Sequence, residues 1–261
     1  MLTLNLWQPK PAAPPAMAVA RAEPQRPLLR IVVLNTKGGC GKTTLSTNLA
    51  GYYAARGFRT ALLDADPQGS GLRWLSKRGE GHAAIHGMSG CDKSGRVTRS
   101  FQLRIPQDTE RLVVDTPAAL DSLRLQDLTR GAHAILIPVL PSDIDIHAAS
   151  RCIAELLLAA RIDDRTERVA VVANRVKKHT RVYATLRRFL DSLDIPFVAS
   201  LRDTQNYIHA VEQGLSIHEL ESHNVKQDRY EWAALIEWLE SRTPDGARHI
   251  TQVSASDISV R

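Results

Sequence analysis

The fold of this chain is decided by the stretch Lys37-Gly38-Gly39-Cys40-Gly41-Lys42-Thr43-Thr44. It follows the apolar run Leu28–Leu34, which predicts a buried parallel strand, and it leads into a helical pattern over Thr43–Arg56. A glycine-rich turn between a strand and a helix lets backbone N–H groups converge on phosphate oxygens, and the helix N-terminus adds partial positive charge. The stretch therefore predicts a phosphate-binding loop.

Two side chains of the loop have distinct expected roles. Lys42 is expected to reach the β- and γ-phosphates of a nucleotide, and the Thr43 hydroxyl is expected to ligate Mg²⁺. An ordinary glycine turn before a helix is the alternative, and the two lysines and two threonines argue against it. The sequence therefore predicts a nucleoside triphosphate and Mg²⁺ as cofactors.

Apolar runs and helical patterns alternate along the rest of the chain. Further strands are predicted at Thr60–Asp64, Arg111–Asp115, Ala134–Val139, Arg168–Ala173 and Phe197–Ser200. Helices are predicted at Asp145–Ala160, Arg181–Leu193, Thr204–Gln213 and Lys226–Arg242, the last with Tyr230, Leu235, Trp238 and Leu239 facing inward. This alternation predicts a single α/β domain of the P-loop NTPase class, with a mostly parallel, twisted sheet and helices on both faces.

Composition divides the chain into three predicted parts. Residues 1–27 carry six of the thirteen prolines and are expected to form a disordered arm. Residues 28–243 form the predicted ATPase domain, and 244–261 a flexible polar tail. Within the domain, Ser76–Arg99 is rich in glycine, serine and charge, and we predict a surface excursion between two elements of the sheet.

The overall composition limits the classes of protein that fit. No apolar run approaches the ~20 residues of a membrane span, and the N-terminus lacks the pattern of a secretion signal. Three widely spaced cysteines indicate a reducing cytoplasm, without a disulfide framework or a zinc site. The net charge of +6 favours an anionic partner, although surface lysines and arginines also serve solubility.

Polar side chains follow three other predicted strands and are expected to meet the same ligand. Asp64 and Asp66 follow one strand, Asp115 ends the next, and Asn174 follows a third. The carboxyl ends of parallel strands share one edge of the sheet, where carboxylates can hold Mg²⁺ through water or orient an attacking water. Asn174 is a candidate to read a base edge. For an isolated aspartate, helix capping or turn formation is the alternative.

The chain resembles the ParA/MinD family of dimeric P-loop ATPases over about Ile31 to Leu239. The resemblance is carried by the phosphate loop and by the segments Asp64-Ala65-Asp66-Pro67-Gln68-Gly69, Asp115-Thr116-Pro117 and Ala210-Val211-Glu212-Gln213-Gly214. It is strongest to small ParA-type proteins that lack an N-terminal DNA-reading domain. Ala118 stands where relatives often have a second proline, and we expect it to alter only the local turn.

The resemblance implies roles for the site residues. Lys37 would cross a dimer interface to the phosphates held by the other subunit, and Asp66 would position the hydrolytic water. The implied catalytic residues are Lys37, Lys42 and Asp66. The implied nucleotide-binding residues are Lys37, Gly38, Gly39, Cys40, Gly41, Lys42, Thr43, Thr44 and Asn174. The implied metal-binding residues are Thr43, Asp64, Asp66 and Asp115, with Asp64 and Asp115 in the outer shell.

Cys40 fills the variable position of the loop, where small residues are usual. A thiol beside phosphates could be oxidised or alkylated, and a tolerated small residue is the alternative.

Positive charge is concentrated in residues 165–202, with nine basic residues against three acidic ones. Neutralising several phosphates gives salt-sensitive, sequence-independent binding to DNA, and a merely solvated basic face is the alternative. The predicted DNA-binding residues are Lys177, Lys178, Arg181, Arg187, Arg188 and Arg202.

Together these features predict a cytoplasmic, nucleoid-associated ATPase that dimerises with ATP and then binds DNA nonspecifically. It would partition or position a cargo, which could be a plasmid, a chromosome or a protein assembly. A ParB-like protein or a cargo adaptor would stimulate hydrolysis.

Three alternatives fit the sequence less well. A MinD-like membrane-associated ATPase needs a basic amphipathic C-terminal helix, and Ile250–Arg261 is serine-rich and nearly uncharged. A redox enzyme on this scaffold needs paired cysteines that bridge an iron cluster across the dimer, and the sequence contexts of Cys91 and Cys152 do not fit that role. A metabolic enzyme of the amidoligase type needs a further substrate pocket, for which the sequence gives no sign. A GTPase needs an aspartate that Asn174-Arg175-Val176-Lys177 lacks.

Overall fold

The computed structural model describes residues 26–91, 105–159, 168–192, 195–221 and 223–244. The strands of the sheet are β1 (Leu29–Val33), β2 (Thr60–Asp64), β3 (Ile85–Ser89), β4 (Arg111–Asp115), β5 (Ala134–Val139), β6 (Val169–Val176) and β7 (Phe197–Arg202). The helices are α1 (Lys42–Ala55), α2 (Ser70–Leu75), α3 (Ser122–Thr129), α4 (Asp143–Ala159), α5 (Arg181–Asp191), α6 (Asn206–Glu212) and α7 (Lys226–Glu240). The strand order is β3-β2-β4-β1-β5-β6-β7, and all neighbouring strands are parallel.

Helices cover both faces of this sheet, which confirms the predicted fold class. Alternate residues of each strand enter two separate apolar cores, as the twofold periodicity of a strand requires. In β1, Ile31 and Val33 pack with α1 and α7, whereas Val32 packs on the opposite face with α3, α4 and α5. Because both faces are covered, the central strands are apolar throughout, and the predicted bounds of β2, β4 and β5 are confirmed.

Three elements were not predicted from the sequence. Helix α2 begins after Gly69, whose φ of 63° lies in the left-handed region and which has no side chain with which to cap the helix itself. Helix α3 is capped by Asp121, which accepts a hydrogen bond from the backbone N–H of Arg124. Strand β3 lies inside Ser76–Arg99, so the prediction of a surface excursion there was wrong for Ile85–Ser89. As an edge strand, β3 is only half buried and lacks the continuous apolar signal of its neighbours.

One predicted inward position of α7 was also wrong. Tyr230 is 74% exposed, whereas Trp232, Leu235 and Leu239 are fully buried. Positions 232, 235 and 239 are spaced by three and four residues and share one helix face, and position 230 lies about 200° around the helix from 232. Trp238 packs partly buried against the same core.

Helix α2 is tied to the segment that follows α6. The indole N–H of the buried Trp74 donates to the carbonyl of Leu215 at 3.1 Å. Just beyond α2, Arg78 forms a largely buried ion pair with Glu219, whose carboxylate also accepts from the backbone N–H of Ser216 at 2.9 Å. These contacts fix the chain that follows β2 against the α1 and α7 side of the domain.

The ends of the chain were assigned only from the sequence. Apart from residues 26, 27 and 244, the predicted N-terminal arm and C-terminal tail lie outside the described residues, as does the segment Ile250–Arg261. Within the described part, no helix combines the length and apolar character that crossing a bilayer requires.

His218 is held in an aromatic cluster beneath α7. Its ring centroid lies 4.8 Å from that of Tyr52 and 5.3 Å from that of Trp232, and both contacts are edge-on. Burial, with a smaller contribution from the positive charges of Arg229 and Arg56, lowers the pKa of His218 to about 4. The Nε2 atom has no hydrogen-bond partner within the described residues, so the neutral imidazole is the form that the fold accepts.

We predict that His218 makes the fold sensitive to acid. Because its folded pKa is depressed, the unfolded chain binds a proton first as pH falls below about 6.5, and stability is lost until about pH 4. The contribution lost at pH 5 relative to pH 8 is about 2 kcal/mol. Urea unfolding at both pH values should show a smaller loss for His218→Phe than for the parent. Substituting the exposed His209 with Phe should leave the loss unchanged, and equal losses in all three proteins would contradict the assignment.

Candidate nucleotide-binding site

The candidate site lies where the winding of the sheet changes direction. Strand β1 is central, with β4 on one side and β5 on the other, so the loops after β1 and β4 emerge side by side. The parallel register places Asp115 beside Val33 on one side and beside Asp64 on the other. Open α/β sheets bind ligands at such switch points, next to the carboxyl ends of the strands. The fold thus brings the phosphate loop and two predicted aspartates together.

A buried asparagine shapes the start of the phosphate loop. Asn35 lies two residues beyond the end of β1, accepts a hydrogen bond from the backbone N–H of Lys37 at 2.9 Å, and donates to the carbonyl of Pro138 at 2.7 Å. It anchors the loop to the end of β5. Sequence reasoning missed this residue, although an amide at the end of an apolar strand is a usable signal.

The lysine predicted to hold phosphate lies in the heart of the loop. Lys42 is 7% exposed, and its Nζ donates to the carbonyl of Lys37 at 2.9 Å. It is the first residue of α1, whose first turn contains no acidic side chain. The ammonium and the partial positive charge of the helix N-terminus therefore act on the same small volume, which suits an anion. Thr43 and Thr44 follow in this first turn and are partly exposed.

Cys40 has the surroundings of an inert thiol. Its side chain is fully buried and donates to the carbonyl of Lys37 at 3.3 Å. Burial raises the pKa of Cys40, which keeps the thiol protonated and weakly nucleophilic. Of the two interpretations of this position, a tolerated small residue fits better than a reactive cysteine.

Asp115 is the residue best suited to a metal. Its buried carboxylate accepts hydrogen bonds from the hydroxyls of Ser46, at 3.2 Å, and of Thr43. Its Oδ2 atom is buried and has no partner within the described residues. Burial, and to a lesser degree the nearby Asp64 carboxylate, raise the pKa of Asp115 to about 7, although hydrogen bonding by hydroxyls opposes the shift. An orphaned carboxylate oxygen beside a threonine hydroxyl fits Mg²⁺, and Ser46, one turn along α1, was missed from the sequence.

The other two aspartates make local backbone contacts. The buried Asp64 accepts from the N–H groups of Asp66, at 3.1 Å, and of Leu72, at 3.0 Å, so it caps the start of α2. Asp66 is partly exposed and accepts from the N–H of Gln68 at 2.9 Å. The alternative of helix capping therefore describes Asp64, while the water-positioning role of Asp66 stays a prediction.

The donor set as a whole suits Mg²⁺ held partly by a nucleotide. Over the described residues, no three His, Cys, Asp or Glu side chains are grouped in a way that could hold a metal alone. Mg²⁺ in phosphate-transfer sites keeps several waters and binds through one or two protein groups and the phosphates. Thr43 and Asp115 are the protein groups that fit.

Asn174 supports the loop from the side of β6. Its Nδ2 donates to the carbonyl of Cys40 at 2.9 Å, and its Oδ1 accepts from the N–H of Arg175 at 2.9 Å. One amide hydrogen is left for a base edge, and that predicted role stays a prediction.

The predicted DNA-binding residues surround the end of β6 and α5. Arg181 and Arg188 are exposed and, being seven residues apart, share one face of α5. Neither has an acidic partner among the described residues. Lys177 and Lys178 are exposed. Lys177 forms a solvent-facing ion pair with Asp203 at 4.0 Å, and such a pair is weak and leaves the lysine free to exchange partners. Lys178 pairs at 3.1 Å with Glu231, whose side chain is largely buried, so this lysine is held more firmly.

The last two members of the set differ from each other. Arg187 is partly exposed, pairs with Asp191 at 3.6 Å and lies over the ring of Phe197. Arg202 has a structural partner, because its guanidinium makes two hydrogen bonds to the fully buried Asp228, and a contact of Arg202 with DNA stays a prediction. Removing Arg202 from that pair would leave a buried carboxylate unpaired, which is costly. The positive charge of Arg202 therefore stabilises the fold by neutralising the buried Asp228 carboxylate.

Comparison with known proteins gives a consistent match. Residues 31–217 match the family described as the CobQ/CobB/MinD/ParA nucleotide binding domain. The chain is 32% identical over 194 residues to a protein of Halothiobacillus neapolitanus named maintenance of carboxysome distribution protein A, covering 73% of this chain and 87% of that protein. It is 31% identical over 219 residues to the Gloeobacter kilaueensis protein of the same name, covering 80% and 93%.

The fold also matches solved structures. The MinD cell division protein of Aquifex aeolicus superposes with a TM-score of 0.59 at 20% sequence identity, covering 81% of this chain and 95% of that one. At this level of identity the likeness concerns the fold.

We predict that Gly41→Ala disables the phosphate loop. Gly41 has a φ of 96°, and a Cβ there would collide with the amide nitrogen of Asn174. The loop would have to shift, and ATP affinity should fall at least about tenfold, or ~1.4 kcal/mol. Isothermal titration with Mg²⁺ and ATP measures this change. Gly81→Ala is the control, because a Cβ there meets open space, and equal affinity in all three proteins would contradict the prediction.

Proposed function

Because the chain belongs to the CobQ/CobB/MinD/ParA family of nucleotide-binding domains, we propose that it positions a cargo through an ATP-dependent dimer that binds DNA. It is an ATPase of the ParA type and uses ATP and Mg²⁺. The observation that carries the proposal is the contrast between the two lysines of the loop. Lys42 is buried and bound to the loop itself, whereas Lys37 is partly exposed at the loop's mouth.

The residues within one protomer account for binding and orientation of ATP. The N–H groups of the loop and Lys42 bind the β- and γ-phosphates, and Thr43 and Asp115 hold Mg²⁺, which offsets the charge that develops during phosphoryl transfer. Asp66 lies in the loop just after β2, the strand next to β4, and orients the water that attacks the γ-phosphorus. Asp115 is fixed by the Ser46 hydroxyl, so the metal site is set by the packing of α1 on β4.

The ammonium group of Lys37 acts on the phosphates bound by the other subunit of the dimer. Its carbonyl is held by Lys42 and Cys40, which fixes the backbone, while its ammonium has no partner among the described residues. In a face-to-face dimer this ammonium reaches the phosphates of the other subunit. ATP then becomes part of the interface, and hydrolysis releases it.

The exposed basic residues around α5 bind DNA in the dimer. Arg181, Arg188, Lys177 and Lys178 lie on the part of the domain that follows β6, and two protomers present twice as many cations to the DNA phosphates. Because affinity rises steeply with the number of phosphates neutralised, dimerisation alone makes DNA binding depend on ATP. In this proposal the ATP state is bound to nucleoid DNA in the cytoplasm.

The cargo is a protein assembly. Two relatives that match most of this chain carry names that refer to the distribution of carboxysomes, which favours an assembly over a plasmid or chromosome. A ParB-like or adaptor protein on the cargo stimulates hydrolysis and releases the dimer locally. The MinD-like membrane alternative has no comparable support in the chain.

We predict that Lys37→Ala separates ATP binding from dimerisation. ATP affinity should change by less than about tenfold, because Lys42 and the loop N–H groups remain. Sedimentation velocity with Mg²⁺ and ATP should show monomers for the variant and dimers for the parent. Lys77→Ala removes an exposed lysine elsewhere and should still dimerise. A normal ATP-dependent dimer of Lys37→Ala would refute the role in trans.

We predict that reversing two charges on α5 weakens DNA binding. In the double variant Arg181→Glu with Arg188→Glu, the slope of log affinity against log salt should fall by about 0.9 for each DNA phosphate that the protein no longer neutralises. ATP binding and dimerisation should persist. The charge-matched control reverses the exposed Arg130 and Lys77, which lie away from α5. Equal weakening in both double variants would mean that net charge alone, and no defined surface, governs DNA binding.

A further inference from the structure

We infer that Asn174 is a positioning residue that connects the phosphate loop to the basic segment of residues 175–180, which contains the end of β6 and the loop after it, through the backbone of Arg175. Nucleotide bound at the phosphate loop would thereby order the segment that carries Lys177 and Lys178. The inference rests on the proposed function in one respect, which is that residues 175–180 take part in DNA binding. Its first test needs no DNA.

The first contact of this connection lies at the phosphate loop. The Asn174 amide donates to the carbonyl of Cys40 at 2.9 Å, and the side chain is 6% exposed. Gly41 packs so closely on the same amide that no Cβ could fit between them. A shift of the Cys40–Gly41 peptide would therefore move Asn174 or break its hydrogen bond, because close-packed groups have no slack.

The second contact lies at a strained residue. Arg175 has a φ of 51°, and among the described residues it is the non-glycine residue with a positive φ. Its N–H donates to Oδ1 of Asn174 at 2.9 Å, so the side chain bound to the phosphate loop also holds this conformation in place. Non-glycine residues adopt the left-handed region only when their surroundings fix them, and such residues cluster at functional sites.

The sheet is irregular at the same place. The pairing of β6 with β7 shifts register between Ala173 and Val176, and an irregularity of this kind redirects the strand that carries it. Pairing is interrupted there and resumes where Val176 pairs with Arg202, so the backbone at 174 and 175 is held by the Asn174 side chain in place of a continuous ladder. The strand end can therefore respond to the phosphate loop while the rest of β6 stays fixed.

The third contact lies at the basic residues. Asp203, at the end of β7, donates its backbone N–H to the carbonyl of Val176 at 3.2 Å, and its carboxylate accepts from Arg175 Nε at 3.3 Å. The same carboxylate is 4.0 Å from the ammonium of Lys177. Two residues, Arg175 and Val176, thus separate Asn174, which contacts the phosphate loop, from Lys177 of the proposed DNA surface.

The consequence follows from thermodynamic linkage. If nucleotide favours the arrangement in which Asn174 is bonded to Cys40, it also favours the conformation of Arg175 and the order of the following loop. By reciprocity, an anion that orders residues 175–180 raises nucleotide affinity by the same factor. This coupling exists within one protomer and adds to the effect of dimerisation.

The test is amide hydrogen exchange measured by mass spectrometry on the full chain, with and without ADP and Mg²⁺. ADP avoids both hydrolysis and the proposed ATP-dependent dimer. In the parent, ADP should slow exchange in residues 175–180 by about threefold or more, in addition to protecting the phosphate loop. The absence of any ADP effect on 175–180 in the parent would overturn the inference.

Two variants test the route. Asn174→Ala removes the side chain, and Arg175→Gly keeps it while relieving the strained φ, a position where glycine is well tolerated. With ADP raised until each variant is saturated, both should show protection of the phosphate loop but lose the effect on 175–180, whatever change in ADP affinity follows from removing the candidate base contact of Asn174. Because Arg175→Gly is expected to fold at least as well as the parent, it keeps the test decisive if Asn174→Ala is unstable.

The matched control is Asn48→Ala. Asn48 is another buried asparagine near the loop, and it donates to the carbonyl of Thr44 at 2.8 Å and accepts from the N–H of Ile217. This variant should retain the ADP effect on 175–180, and its loss there would attribute the effect to general destabilisation and overturn the inference.

A separate DNA-binding measurement then distinguishes the two proposals. Protection of 175–180 without DNA binding would leave the connection standing and reject the proposed DNA surface. DNA binding without that protection would do the reverse.

Discussion

The parallel pairing of β1 with β4 on one side and β5 on the other is the constraint on which the site depends. It brings the phosphate loop, Asp115 and the anchor of Asn35 to one edge of the sheet, although these residues are far apart in sequence. The packing of α1 on β4 then sets the distance between Ser46 and Asp115. The chemistry of the site is therefore a property of the central strands, and the outer strands serve it by supporting the loops.

The sequence predicted this central part well for a physical reason. Strands covered on both faces are apolar throughout, so their ends are marked by the first polar residue, as at Asp64 and Asp115. Edge strand β3 lacks that signal. Helix α2 has only six residues, and its start is set by the left-handed backbone conformation of Gly69. In both cases tertiary contacts, such as the Trp74 indole bond, supply what the local sequence does not.

The candidate site shows the same division between local and tertiary information. Glycines and lysines at fixed spacing predict the phosphate loop from the sequence alone, because all residues of the loop are contiguous in the chain. Whether a basic residue faces solvent or a buried carboxylate depends on residues far along the chain. The pairing of Arg202, at the end of β7, with Asp228 on α7 could not be predicted for this reason. Likewise, the amide of Asn174 is adjacent to the loop only in the folded sheet.

The anchoring of Trp74 gives the protein an optical reporter. The indole is buried and hydrogen-bonded to Leu215, and it lies on the helix that begins directly after the Asp66 loop. Indole emission depends on local polarity and hydrogen bonding, so displacement of α2 during a catalytic cycle would change the intrinsic fluorescence. Motions of this segment can therefore be followed by stopped-flow spectroscopy without attaching a dye.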